Sequence, residues 1–387
     1  MSSTRTTKDG SFHQNRWASS PALDRPLKAN LVASRCSVLE SAEQREAVWF
    51  VQFLSLHAGG LRWASSEIAP EFFKGEDREK WLARLCLDPA ANDDLKAALP
   101  KLRELMADYG RQKSEGIAVT EIGRTVYEAL DYCSQAHCLV LVSGKPRLGK
   151  TFAAQRWVEQ HPGRARYCQV PSSADDLAFF TAIGRSLGLT IESDAKTKYL
   201  RPRIEAALQG GAVSLVLDEG SNLLPSHNYR LARPSRICWL MTALINQGVS
   251  VCVLVTPQFF NAQADYVNKS GWASAQWLGR INRFVSLPDT LPISDLEKVA
   301  RAWLPHGDKR SIETLADYAN LSQKYLAAIE HTVTQAIYFA RQDGRDKAGW
   351  TDIQRAIKSG VMPSDAALAA AIERAAVRRK ASATVPR

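Results

Sequence analysis

The sequence predicts an α/β protein in which a parallel sheet is flanked by helices, preceded by one helical region and followed by another. Three observations predict this fold class. Short apolar runs alternate with helical stretches over residues 116–290, a glycine-containing turn joins the first apolar run to a helix, and helical periodicity dominates on both sides of this region. Continuous apolar runs bounded by turns are typical of strands buried on both faces, and helices between them are typical of parallel βαβ units.

Each predicted strand is a short apolar run bounded by turn residues. The five are Cys138–Ser143, Arg166–Val170, Val213–Asp218, Val249–Thr256 and Phe284–Leu287. A helix over Thr120–Cys133 is expected to lead into the first strand. After Leu291 the periodicity is helical again, over Asp295–Leu304, Ile312–Tyr318, Ser322–Arg341 and Thr351–Ser359. We therefore expect an α/β core over residues 116–290 and a helical lid over residues 291–362.

The rest of the chain divides into three parts. Residues 1–36 are polar and mostly basic, which favours a flexible arm, either solvated or touching phosphates. Residues 37–115 predict a helical N-terminal domain, with a helix start at Ser41. Its tryptophans Trp49, Trp63 and Trp81 are interpreted as core rather than as a partner surface, and a helix-turn-helix stays open. Residues 363–387 form a basic C-terminal segment.

Composition narrows the function classes. The chain has 387 residues and a formal net charge of +10, which favours an anionic partner such as nucleic acid over a merely basic protein. No apolar run approaches the ~20 residues of a membrane span, and the N-terminus has no apolar core of a secretory signal. The seven cysteines form no CxxC pair. We expect a cytoplasmic protein with reduced thiols and no membrane partner.

The chemistry centres on a phosphate-binding loop at Gly144–Thr151, which has the pattern GxxxxGK[ST] between a predicted strand and a predicted helix. Gly144 and Gly149 let the backbone curl so that N–H groups face phosphates, and the following helix adds its N-terminal dipole. Lys150 is expected to reach the β- and γ-phosphates of ATP, and Thr151 to ligate magnesium. The predicted nucleotide contacts are Gly144, Lys145, Pro146, Arg147, Leu148, Gly149, Lys150, Thr151 and Phe152.

An acidic pair ends the third predicted strand. Asp218 is expected to hold magnesium together with Thr151, and Glu219 to act as the general base that activates the attacking water. A solvent-facing turn would be the alternative for such a pair, but a phosphate loop upstream favours catalysis.

Three further residues are candidates for contact with the γ-phosphate. Thr256 ends the next strand and is a candidate sensor of the γ-phosphate or the water, although a threonine before Pro257 is also common at strand ends. Arg283, and after it Arg280, precede the last strand. Either arginine is a candidate to stabilise transition-state charge in a neighbouring subunit, or an ordinary surface or nucleic-acid contact.

The order of phosphate loop, Asp-Glu strand, polar-ended strand, arginine-phenylalanine element and helical lid resembles the AAA+ ATPases over Gly116–Ser359. More narrowly, the chain resembles the transposition target-selection ATPases of the MuB, TniB and TnsC type. The segments behind this likeness are Thr120–Leu130, Pro171–Leu177 with Ser186–Leu189, Val255–Phe259 and Trp277–Phe284.

The narrower resemblance implies assembly into a ring or filament on double-stranded DNA and a transposase or integrase as partner. Contacts to DNA would be mostly to phosphates. The candidates are Arg230, Arg233, Arg236, Lys269 and the terminal basic segments, with a solvated charged loop as the alternative. The chain departs from the AAA+ pattern in the lid, where Gln323 and Lys324 stand at the usual place of an arginine, and in the bulky Lys145–Arg147.

Two other functions stay open. A nucleotide-switched signalling or defence protein would use the helical front region to recruit an effector. A helicase loader or replication initiator would use the same core and would also bind DNA.

Overall fold

The computed structural model describes residues 26–211, 213–224 and 234–360, and these form two compact units. Unit 1 takes in the described residues up to Glu115, then Thr125–Gly144 and Lys150–Leu287. Unit 2 takes in Gly116–Arg124, Lys145–Gly149 and the described residues from Pro288 onward.

The centre of unit 1 is a five-stranded parallel sheet with the order β2-β3-β4-β1-β5. The strands are β1 Leu139–Ser143, β2 Ala165–Gln169, β3 Ser214–Asp218, β4 Val251–Val255 and β5 Ile281–Ser286. Every residue of β1, β3 and β4 is buried, as their continuous apolar runs predict. The predicted parallel α/β sheet is confirmed.

Strand β5 begins at Ile281, earlier than the predicted Phe284. It lies at the edge of the sheet, and Asn282 and Phe284 on it are exposed. Because an edge strand buries only part of its surface, its first half carries no continuous apolar run that would mark it in the sequence.

Helices precede, connect and cover the strands of unit 1. The front helices are α1 Ala29–Ser37, α2 Ala42–Ser55, α3 Gly60–Ser66, α4 Arg78–Leu87 and α5 Asn92–Ser114. Those that follow are α6 Glu121–Ala136, whose first turn belongs to unit 2, α7 Lys150–Gln160, α8 Asp176–Ser186, α9 Thr197–Gly211, α10 Ser235–Trp239, α11 Gln258–Ser270 and α12 Ala275–Leu278. Helix α2 starts where predicted, with Ser41 and Gln44 forming a capping box.

The expected flexible arm over residues 1–36 is wrong at its C-terminal end. Helix α1 occupies Ala29–Ser37 and packs against α9. Val32, Ala33 and Cys36 are buried on one side of the helix, whereas Leu31 is exposed, and burial of this apolar stripe stabilises the helix. Residues 1–25 lie outside the described residues.

The front helices share one hydrophobic core with the sheet, and both belong to unit 1. Trp49 and Trp81 are buried in this core. Arg166 of β2 links the two parts, because its buried guanidinium donates to the Gln52 side chain at 3.0 Å and to the Trp49 carbonyl at 3.4 Å. Shared apolar burial and this buried cation join the front region to the sheet.

Unit 2 is helical apart from its loop segments. Its helices are α13 Ile293–Trp303, α14 Lys309–Leu321, α15 Tyr325–Gln342 and α16 Trp350–Lys358. Arg345 binds both carboxylate oxygens of Asp352 at 2.7 Å and so joins the turn after α15 to α16. The expected segment 363–387 lies outside the described residues. Among residues 26–211, 213–224 and 234–360, no helix is long and apolar enough to cross a membrane.

Candidate functional site

The polar candidates of unit 1 lie at one edge of the sheet. Strand β4 is hydrogen-bonded between β1 and β3, and all three run parallel, so their C-terminal ends share this edge. Gly144 follows β1, Thr256 follows β4, and Asp218 ends β3. The Gly144 N–H donates to the Val255 carbonyl at 3.2 Å, which fixes the start of the loop to β4. Ligands of open α/β sheets bind outside the carboxyl ends of the strands, as these residues would require.

Lys150, at the start of α7, places its ammonium across the loop. Its Nζ donates to the Gly144 carbonyl at 2.6 Å, and the residue is only 7% exposed. Burial lowers the pKa of Lys150, while the nearby carboxylates of Asp218 and Glu219 raise it. A buried cation in a loop of this kind is suited to bind an anionic phosphate.

Asp218 is the centre of a hydrogen-bonded cluster. Its Oδ2 accepts a bond from the Thr151 hydroxyl at 2.6 Å and another from the Tyr167 hydroxyl at 2.8 Å. Its Oδ1 accepts the Glu219 N–H at 2.8 Å. The structure therefore brings together the two residues predicted to hold magnesium.

Tyr167 was not a candidate from the sequence. It lies in the middle of β2, where an aromatic residue is typical of any strand. The only available signal is its place in a strand next to the Asp-Glu strand, and that signal does not distinguish it from its neighbours.

Glu219 follows with a left-handed backbone conformation, φ 55°, and an exposed side chain. The next residue must be glycine, since a Cβ on Gly220 would lie 2.5 Å from Cγ1 of Val253. This turn against β4 leaves the Glu219 carboxylate accessible to water, as a general base requires.

Residues Lys145–Gly149 group with unit 2. Arg147 and Gly149 both have positive φ, 68° and 89°, and a Cβ on Gly149 would lie 2.8 Å from Cδ1 of Leu326. Lys145 pairs with Asp289 at 3.0 Å. Leu148 is buried, whereas Pro146 and Arg147 are exposed.

Phe152 lies in α7 of unit 1, one residue after Thr151. It is 48% exposed and carries the Arg156 guanidinium 5.1 Å from its ring centroid.

Thr256 and the two arginines are not part of the cluster around Asp218. The Thr256 carbonyl accepts the Phe259 N–H at 2.9 Å at the start of α11. Arg280 donates to Asn246 Oδ1 and to the Gln276 carbonyl. Arg283 lies with its guanidinium 5.1 Å from the Tyr132 ring centroid. Neither arginine has a hydrogen bond or ion pair to the cluster among the described residues of this single chain.

The expectation that Arg236 contacts DNA from an exposed loop is wrong. Arg236 is 6% exposed, and its guanidinium donates to Asp176 Oδ1, to the Asn222 carbonyl and to the carbonyls of Ser173 and Asp175. It is a structural residue of unit 1. Arg230 and Arg233 lie outside the described residues, and Lys269 is exposed in the last turn of α11.

In unit 2, Lys324 occupies the lid position where the sequence lacks an arginine. It is 2% exposed and lies between Gln323 and Tyr325, both with positive φ. Non-glycine residues in this conformation store strain and are enriched at functional sites.

The donor set at Asp218 fits magnesium. Mg²⁺ prefers hard oxygen ligands, and it commonly takes one or two protein oxygens and completes its shell with phosphates and waters. The Thr151 hydroxyl and the Asp218 carboxylate, already in contact, supply such oxygens. Among the residues that the structure describes, no group of three His, Cys, Asp or Glu side chains forms an all-protein metal site.

A protein-family model described as an AAA domain matches residues 134–261. The matched segment contains Gly144–Phe152, Asp218, Glu219 and Thr256, whereas Arg280 and Arg283 lie beyond it. The chain contains an AAA domain. Its parallel sheet and phosphate loop have the P-loop fold of the AAA+ ATPases.

No curated protein sequence matches this chain. Three solved structures are similar in fold. The ORC2 protein of Aeropyrum pernix has a TM-score of 0.46 at 15% identity, and Cdc6p of Pyrobaculum aerophilum has 0.44 at 15%. Domain III of the replication initiation protein DnaA of Thermotoga maritima has 0.44 at 14%.

The extent of these matches differs. They cover 62%, 61% and 64% of this chain, and 66%, 65% and 96% of those chains. The chain thus spans just under two thirds of the first two structures.

Proposed function

We propose that the protein is a magnesium-dependent ATPase that assembles on duplex DNA and recruits or licenses a second DNA-processing enzyme. The hydrolytic part rests on one observation above all, the contact of Thr151 with Asp218 beside the buried Lys150. The DNA part rests on the net charge of +10.

Each residue of the site has a distinct role in this proposal. Lys150 binds the β- and γ-phosphates, and Thr151 and Asp218 hold magnesium, which when bound neutralises phosphate charge. Glu219 accepts a proton from the attacking water as the water oxygen bonds to the γ-phosphorus and the bond from the γ-phosphorus to the bridging oxygen breaks, so that ADP and inorganic phosphate leave. Thr256 orients the water or the γ-phosphate from the end of β4.

Arg283, or Arg280, completes the site of a neighbouring subunit. An arginine that reaches into the site of a neighbouring subunit increases the rate of ATP hydrolysis by a large factor, because it stabilises charge on the transferring phosphoryl group. In one chain both arginines contact groups away from Asp218, as a residue that acts on a neighbour would. ATP hydrolysis would then depend on self-association into a ring or filament.

The DNA contacts of this assembly would be sequence-neutral. Lys269 is the exposed described candidate, and Arg230, Arg233 and the terminal basic segments are candidates outside the described residues. The segments that resemble MuB, TniB and TnsC favour target-DNA selection for a transposase or integrase. A replication initiator or helicase loader is the second candidate, because it requires the same ATPase core and the same duplex binding.

Filter binding of a labelled duplex at low salt tests the DNA proposal. We expect retention with a non-hydrolysable ATP analogue, weaker retention with ADP, and loss in Lys150→Ala. Negative-stain images with the analogue and DNA should show rings or filaments. Absence of DNA binding in every nucleotide state would refute the proposal and favour a nucleotide-switched signalling protein.

The client enzyme is identified by a second assay. Strand transfer by a purified transposase should be directed to DNA that carries the assembled ATPase. Nucleotide-dependent capture of a replicative helicase, with no effect on strand transfer, would instead support the initiator or loader function.

A further inference from the structure

The hydroxyl of Tyr167 occupies a position that the proposed roles do not use. It donates to Asp218 Oδ2 at 2.8 Å, on the same oxygen that accepts the Thr151 hydroxyl. The Glu219 N–H donates to Oδ1, so the Asp218 carboxylate accepts three hydrogen bonds in all. This number of directed bonds leaves the carboxylate little freedom to rotate.

The register of the sheet explains how Tyr167 reaches Asp218. Strand β2 pairs in parallel with β3, with Gln169 opposite Asp218 and Tyr167 opposite Val216. Residues two apart in a strand share a face, so Tyr167 lies on the face of the sheet that carries the Asp218 side chain. The long tyrosine ring spans the remaining distance to the carboxylate.

Strand β2 is itself held firmly at this point. The preceding residue, Arg166, points to the opposite face, where its guanidinium is buried against the Trp49 and Phe53 rings and donates to Gln52 Oε1. The front helices therefore fix the strand from which Tyr167 acts.

The chemistry of the phenol suits a permanent donor. A phenol carries one O–H donor, and that of Tyr167 is directed at Asp218 Oδ2. Loss of this donor would leave the buried Asp218 carboxylate with two of its three hydrogen bonds.

We propose that Tyr167 is a positioning residue for metal binding, which holds the Asp218 carboxylate in the orientation that magnesium requires. This inference rests on the proposed role of Asp218 as a metal ligand. Tyr167 touches neither the nucleotide nor the metal in this scheme. It acts through Asp218, and its removal should weaken metal affinity while nucleotide affinity in the absence of metal is retained.

The test compares Tyr167→Phe with wild type and with Tyr199→Phe, a matched control at a tyrosine that is 64% exposed on α9. Free Mn²⁺ is measured by electron paramagnetic resonance during titration of the protein saturated with a non-hydrolysable ATP analogue. A hydrogen bond to a buried charged group such as Asp218, which is 4% exposed, corresponds to a roughly 10- to 100-fold rise in the Mn²⁺ dissociation constant of Tyr167→Phe. Binding of a fluorescent ATP analogue in EDTA should be unchanged, and Tyr199→Phe should match wild type in both assays.

Two results would overturn the inference. If Tyr167→Phe binds Mn²⁺ as wild type does, the hydroxyl does not position the carboxylate. If it loses nucleotide affinity in EDTA to the same extent, Tyr167 merely supports the fold of β2, which the thermal unfolding midpoint would report independently. Failure of wild type itself to bind Mn²⁺ with nucleotide would instead refute the assignment of Asp218 and the proposed site with it.

Discussion

Replacement of Arg236 tests whether this arginine supports the fold or contacts DNA. Its side chain is 7% exposed, and four hydrogen bonds join it to Asp176 and to three backbone carbonyls. Arg236→Ala removes the donor from the Asn222 and Ser173 carbonyls, which costs about 1–3 kcal/mol of stability for each carbonyl that water does not reach. The Asp175 carbonyl keeps the Phe179 N–H as a donor. The ion pair between Arg236 and Asp176 contributes little to the free energy of unfolding, because the Asp176 side chain is 41% exposed.

The expected cost of Arg236→Ala is about 3–5 kcal/mol, because buried carbonyls lose their donor and the guanidinium no longer packs over the Phe179 ring. In urea this moves the unfolding midpoint down by roughly 1 M or more, for an m-value near 3 kcal/mol/M. Arg185→Ala is the matched control. Arg185 is an exposed arginine in the last turn of α8, and its removal should change stability by no more than about 0.5 kcal/mol.

Arg236→Lys separates the two roles. A lysine keeps the charge that a phosphate contact needs, but it lacks the planar fork that reaches several acceptors at once. We expect Arg236→Lys to be destabilised almost as much as Arg236→Ala, and the salt dependence of DNA binding to be unchanged in both. Normal stability together with a salt slope reduced by about 1 would show that Arg236 contacts phosphate and would refute this reasoning.

Three further predictions concern the site and its surroundings. Glu219→Gln should keep ATP binding and lose turnover by roughly 10²- to 10⁴-fold in a phosphate-release assay, whereas normal turnover would place the base elsewhere. Gly220→Ala should lower the free energy of unfolding by about 1–3 kcal/mol, because its Cβ would lie 2.5 Å from Val253 Cγ1; an unchanged urea midpoint would contradict the tight turn. Burial lowers the pKa of His161 below its unfolded-state pKa of about 6.5. The unfolded state therefore binds more protons as the pH falls below about 6.5, and the protein becomes less stable at lower pH. His161→Gln should show a smaller loss of stability from pH 6.5 to 5.5, and the same loss as wild type would assign the effect to other groups.

The phosphate loop and the buried strands could be predicted from the sequence because their signals are contiguous. Gly144–Thr151 places its glycines, lysine and threonine within one turn, and the strand and helix on either side are adjacent in the chain. Strands β1, β3 and β4 are buried on both faces, so each is a continuous apolar run. The edge strand β5 buries less of its surface, and its start was therefore placed too late.

Other features depend on residues that are far apart in sequence. Helix α1 was predicted as flexible because its polar composition hides the apolar stripe that packs against α9. Arg236 was predicted as a DNA contact because its neighbours in sequence are basic, while its acceptors lie some 14 to 63 residues earlier in the chain. A charged side chain can be buried only where hydrogen-bond acceptors surround it. For Arg236 these acceptors come from distant parts of the chain, so no local sequence pattern predicts them.

The sequence by itself determined the phosphate-loop pattern of Gly144–Thr151 and placed an Asp-Glu pair at the end of a buried strand, because both depend on residues that are neighbours in the chain. The tertiary structure alone decided that Thr151 and Tyr167 meet on one oxygen of Asp218 and that Arg236 is structural. These contacts arise when parallel strands from distant parts of the chain bring their ends to one edge of a sheet. The order of the strands, which the sequence does not state, sets which side chains meet there.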